Sequence, residues 1–246
     1  MRTYEDTAHS EMMRWKKRMQ KPPSLLNNLT HNTQKKINSI IPEKVHEAIT
    51  KAMKGMIRAV LFGAKYTTSK PLSYAPLQVR EEKILSTIDS YRKTGAAEGG
   101  ITGAGGFLMS LADFPILIGI KMKMLFQIAS LYGFDTKDYR ERLFLLHVFQ
   151  LAFSSQHRRN EVFTEIENWD LKVQELPDDI HAYDWRKLQQ EYRDYIDLAK
   201  LAQLIPFVGA AVGAIANYKL VGKLGETAMQ AYRMRLFSMY PKGLIS

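Results

Sequence analysis

Apolar residues recur along the chain mostly at helical spacing, with no convincing run of strand-like alternation, so the pattern predicts an all-α fold. After Ser10, read as an N-cap, Met12, Trp15 and Met19 fall at i, i+3 and i+7, while Arg14, Lys17 and Arg18 take the far side of the turn. That segment is a short basic amphipathic helix stopping at Pro22-Pro23. A weaker segment follows through Leu25, Leu26 and Leu29. Pro42 then opens a stronger helix in which Val45, Ile49, Ala52, Met56 and Val60 share a stripe and Lys44, Lys51, Lys54 and Arg58 surround it. Residues 64–76 read as a linker, and Leu77 to Tyr91 as a charged amphipathic helix.

From Gly95 the texture changes. Six glycines lie between Gly95 and Gly106, each costing about 1 kcal/mol against alanine inside a helix. Gly95, Gly99 and Gly103 fall at i, i+4 and i+8, and Gly209 and Gly213 repeat the spacing later, which predicts two smooth grooves where helix backbones approach closely, facing one another. Between them, Asp113-Phe114-Pro115 reads as the start of a new helix, with Asp113 as N-cap and Pro115 in the first turn, running to a stop at Tyr132-Gly133. Arg142 to Ser154 is a further apolar helix, the acidic stretch up to Asp184 reads as looser, and Trp185 to Gln203 as a charged helix. Pro206 opens a Gly/Ala-rich helix to Asn217, and Lys219 to Arg235 forms the last amphipathic helix.

Charge placement divides the chain. Residues 1–70 hold 14 Lys/Arg against 5 Asp/Glu, nearly all of the formal net charge of +10, and Glu161 to Asp197 holds 11 acids against 4 bases. Residues 1–70 therefore read as a basic helical arm and residues 71–246 as a helical core, together one unit, with the arm seeking an anionic membrane surface or an acidic protein. Arg14, Trp15, Lys17, Arg18, Lys51, Lys54 and Arg58 are the expected contact residues, Trp15 and the methionines acting as shallow anchors. The plain alternatives are a solvated charged face and a Met/Trp stripe buried in the core. Aromatic platforms are sparse among these bases, so nucleic acid ranks below membrane contact.

Two segments approach membrane-spanning composition. Leu201 to Tyr218 is 18 residues without a charge, and Ile101 to Ile120 is interrupted by Asp113. They read as a buried hydrophobic hairpin in a cytosolic protein, with partial bilayer insertion as the competing reading. With no cysteine, thiolate metal sites, disulfides and cysteine nucleophiles are excluded. Arg2, Glu5, Asp6 and Glu11 stand where a secretory signal needs apolar residues, so a cytoplasmic location is expected. Gly103-Ala104-Gly105-Gly106 follows no strand and does not match GxGxxG, and His46-Glu47 has Thr50 where a second zinc ligand would stand. Neither an enzymatic activity nor a cofactor is expected. If a reaction or a lipid-like ligand exists, Asp113, His147 and Asn217 around an apolar pocket between the glycine helices are its candidates.

The stretch Gly99-Gly-Ile-Thr-Gly-Ala-Gly-Gly-Phe-Leu-Met-Ser-Leu-Ala-Asp-Phe-Pro115, with Ile128-Ala-Ser-Leu-Tyr-Gly-Phe-Asp135, resembles the EcsC family, and Ile205 to Asn217 through Ala231-Tyr-Arg233 looks like that family's C-terminal signature. Lys21-Pro-Pro-Ser24 and Ile41-Pro-Glu-Lys-Val45 extend the resemblance to short Bacillus-type members and to nearly the whole chain. It implies a bacterial protein on the cytoplasmic side, encoded beside an ABC transporter linked to secretion and peptide processing; the basic arm, read independently, is consistent with a peripheral place on the inner membrane face. The resemblance carries over no catalytic residues. Gly99, Gly103, Gly106, Asp113, Pro115, Gly133, Asp135, Pro206, Gly209, Asn217, Tyr232 and Arg233 are signature positions expected to serve packing, as is Gly213.

Overall fold

The computed structural model describes residues 2–21, 43–62, 70–72, 74–104, 106–155, 158–196 and 210–240. Within them the helices are α1 (Tyr4–Gln20), α2 (Glu43–Phe62), α3 (Leu77–Ala104), α4 (Gly106–Leu131), α5 (Tyr139–Phe153), α6 (Arg159–Glu167), α7 (Trp169–Glu175), α8 (Trp185–Tyr195) and α9 (Ala210–Met239), with a 3-10 turn at Ile180–Ala182. The fold is all-α. Among the described residues the only strand-like pairing is one antiparallel bridge, Ser154 to Ile196.

Helices α3 and α9 form the central pair, lying antiparallel with Glu81 against Arg233, Ile88 against Gly225 and Arg92 against Gly222. The approach is closest where α9 carries glycine: a Cβ on Gly225 would stand 2.7 Å from two Ile88 side-chain carbons, and one on Gly222 3.1 Å from Arg92 Nε. On α3, Gly95 faces Val221 and Asn217 in the same way. Helix α4 packs on α3 and α2, while α5, buried along nearly its whole length, is enclosed by α9, α6 and α2. Both helices expected to form a basic arm are packed into this one core: Ala8 and Trp15 of α1 and Ile49, Ala52 and Met56 of α2 belong to it.

Several boundaries differ from expectation for local reasons. Helix α1 begins at Tyr4, well before the expected start after Ser10, because Thr3 and Asp6 form a reciprocal capping box. Ser10 sits inside α1 and donates its hydroxyl to the Asp6 carbonyl. Helix α3 does not end near Tyr91 but continues through the glycines to Ala104. Pro115 is interior to α4 and does not open a new helix, so Asp113 is not an N-cap. Pro115 is exposed, which lets its ring sit away from the core, although a proline inside a helix costs about 3 kcal/mol. The far end of α4 falls where expected, after Leu131, with Gly133 turning the chain at a φ of 94°. The acidic region is more ordered than expected, because Val162, Phe163, Ile166 and Trp169 bury their side chains through α6 and α7. The weak segment at residues 25–29, Pro42, Pro206, Gly209 and the helix expected over 197–203 lie outside the described residues, as does the side chain of Asp113.

Among the described residues one helix is long and apolar enough to cross a membrane, through the window Phe114–Leu131 of mean hydropathy 1.5. That window is 61% buried inside the protein, the position of a core helix, and it contains Lys121 and Lys123.

Candidate functional site

A cationic cleft runs between α1 on one side and the α3/α9 pair on the other. It has a volume of about 1250 Å³. Arg14, Lys17, Arg18 and Lys21 line it from the α1 side, and Arg92, Lys219 and Lys223 from the other. Its floor is apolar: Ala8, Ile88 and Met229 are buried beneath it, and Leu85, 53% exposed, stands open to it. The acids among the described lining residues are Glu11 and Glu226. Glu226 meets Arg18 only loosely, at 3.6 Å, and Glu11 is engaged by Arg233. The cleft therefore keeps a strong positive field, focused between walls of low dielectric.

What sets the cleft's geometry is a buried ionic knot at its inner end. Arg233 on α9 donates from Nε and Nη2 to the two oxygens of Glu81 on α3, at 2.7 and 2.6 Å, and from Nη1 to Glu11 on α1 at 2.8 Å. The same Glu81 carboxylate accepts the hydroxyls of Tyr132 at 2.8 Å and Tyr4 at 2.6 Å. A fully buried carboxylate is tolerated when it is paired and its lone pairs are filled, and here four donors fill them. Burial opposes the charge on Arg233, but the hydrogen bonds and charge of Glu81 outweigh it and hold the guanidinium above its ordinary value. Burial, followed by the hydrogen bond and charge of Glu81, pushes the Tyr4 hydroxyl up. The knot ties α1 to α3 and α9 through one arginine. A second ion pair, Arg235 with Glu141, joins α9 to α5, and Tyr232 also donates to Glu141.

Arg92 is a positioned base of the cleft that lies outside this knot. Its guanidinium lies 4.0 Å over the Tyr218 ring, against Gly222, and its Nε is buried without a hydrogen-bond partner. Gly222 leaves the space that the arginine occupies.

The contact residues expected from sequence are split by the fold. Arg14, Lys17 and Arg18 are exposed and line the cleft. Lys51, Lys54 and Arg58 are exposed on α2, and no described α2 side chain lines the cleft. Lys51 borders a groove of about 660 Å³ between α2 and α4 that also takes in Pro115, and Lys54 one of about 390 Å³ between α2 and α8. Trp15 is not exposed as a surface anchor would be: it is 3% exposed and packs edge-on to Phe163, because the apolar stripe of α1 faces the core.

Among the described cavities none is lined by both His147 and Asn217, and the expected pocket with Asp113 falls partly outside the described residues. His147 on α5 is buried against Trp169, with Gln150 at Nδ1 and Lys172 at Nε2, and burial, then the Lys172 charge, push it down to about 3. Asn217 is buried across from Gly95, with neither amide atom hydrogen-bonded. Neither residue lines the cleft or the two grooves on α2. Among the described residues no group of three or more His, Cys, Asp or Glu converges as a metal site. Glu81, Gly222 and Gly225 were missed from sequence, since Glu81 sits in the charged run Arg80-Glu-Glu-Lys83 and the two glycines in an otherwise ordinary amphipathic helix.

Comparison with known proteins gives the model of the EcsC protein family as a match over residues 6–237. The chain is 48% identical over 227 residues to "Protein EcsC" of Bacillus subtilis (strain 168), covering 92% of this chain and 93% of that protein. It is 28% identical over 241 residues to "Uncharacterized protein YdbA" of the same organism, covering 90% and 85%. No solved structure matches.

Proposed function

Starting from the fact that the chain belongs to the EcsC family, we propose that it is a non-enzymatic accessory protein held peripherally on the anionic cytoplasmic face of the cell membrane, beside an ABC transporter in a secretion or peptide-processing context. The observation that carries this reading is the gathering of Arg14, Lys17, Arg18 and Lys21 with Arg92, Lys219 and Lys223 around one cleft. Exposed bases near an anionic leaflet contribute about 1 kcal/mol each, so several acting together give reversible attachment without a spanning helix. The acids Glu161 and Glu165 on α6 and Asp170 on α7 stay out of the cleft lining, so they do not cancel its charge.

Flotation on vesicles of mixed anionic and zwitterionic lipid, repeated over a range of salt, tests the reading. Attachment that weakens steadily with salt is expected, because screening shortens the range of exposed charges. Equal attachment to purely zwitterionic vesicles, or none to anionic ones, contradicts it.

A further inference from the structure

We propose that the cleft between α1, α3 and α9 binds the phosphate headgroup of a single anionic phospholipid, with one acyl chain lying on the floor formed by Leu85, Ile88 and Met229. This rests on the membrane-facing reading above and narrows it from a charged surface to a defined site. Three observations converge. The bases stand on both walls, so an anion placed between them meets positive charge from α1 and from α3/α9 together. Arg92 is fixed in place by Tyr218 and Gly222, and its charge is paired with no carboxylate among the described residues, so an anion entering the cleft meets a cation that is already positioned. The floor is apolar, and Leu85 stands exposed there with nothing among the described residues covering it.

Cations over an apolar floor select an amphiphile over a simple anion. A nucleotide is disfavoured because Tyr4 is the one aromatic side chain among the described lining residues, with its hydroxyl committed to Glu81. A volume of about 1250 Å³ exceeds what a lone phosphate needs and accommodates a headgroup with part of a chain.

The test uses the full chain and a short-chain phosphatidylglycerol below its micelle concentration, so that binding reports single molecules and not a surface. Titration calorimetry is expected to give saturable one-to-one binding at least about tenfold tighter than inorganic phosphate or the short-chain phosphatidylcholine. Arg92→Gln and Leu85→Glu are each expected to weaken it about tenfold or more, while Lys54→Glu, on a helix outside the cleft, leaves it unchanged. Leu85 is exposed, so its variant keeps the proposal testable if Arg92→Gln fails to fold. Absence of saturable binding, binding of phosphate as tight as lipid, tighter binding of polyglutamate, or indifference to both cleft variants overturns the site. Loss of this binding with salt-sensitive vesicle flotation retained removes the site alone; loss of flotation with monomer binding retained removes the membrane reading.

Discussion

Arg233 and Glu81, 152 residues apart in sequence, meet as a two-pronged buried ion pair with N···O distances of 2.7 and 2.6 Å. Removing one partner leaves the other charged, buried and unpaired. Arg233→Ala is therefore expected to cost about 3–5 kcal/mol in urea unfolding, and to loosen α1 from the core. A loss below about 1 kcal/mol means the knot does not organise the helices.

Gly225 lets α9 approach Ile88 so closely that any side chain there collides. Gly225→Ala is expected to destabilise by about 1–3 kcal/mol, as overpacking does. Combining it with Ile88→Ala relieves the collision, so the double variant loses less than the sum of the two singles. Additive losses contradict the close approach.

Stability is expected to depend on pH through two buried bases. Burial pushes Lys121 down from 10.5 to about 7, with the charge of Glu98 opposing the shift. The unfolded chain takes up this proton as pH drops below its ordinary value, while the folded chain resists until about 7, so stability falls through that window and levels off beneath it. The slope is at most about 1.4 kcal/mol per pH unit. His147 adds a loss below its ordinary 6.5, continuing towards about 3. Lys121→Met is expected to flatten the unfolding free energy between about pH 7 and 10. An unchanged slope in that variant assigns the dependence elsewhere.

Trp15 packs on Phe163 inside the core. Trp15→Ala is expected to cost about 3–5 kcal/mol. The milder Trp15→Phe, if folded, is expected to float on anionic vesicles like the parent chain, and a several-fold loss of flotation restores Trp15 to the membrane surface.

The all-helical class and the apolar stripe of α1 were legible because helical periodicity is a local property: Met12 and Trp15 point inward together whatever lies across from them. The bases of α1 were legible as exposed for the same reason, but their meeting with Arg92, Lys219 and Lys223 depends on how α1 docks, which no local pattern carries. Glu81 illustrates the limit most clearly. Among charged neighbours it looks solvated, and only Arg233, Tyr132 and Tyr4, brought in from three other segments, make its burial tolerable. Pro115 misled for a different reason, since its local rule marks a helix start, and here the continuing packing of α4 on α3 and α2 keeps one helix through it.

If the bases of the cleft, and not positive charge in general, hold the protein to an anionic bilayer, position must matter more than net charge. Flotation at low salt should compare Arg14→Glu/Lys17→Glu/Arg18→Glu with Lys51→Glu/Lys54→Glu/Arg58→Glu, two variants carrying the same change in net charge at exposed positions. The first is expected to lose attachment by about tenfold or more while the second keeps most of it. Equal losses in the two variants, or attachment retained in the first, would contradict the assignment of the cleft.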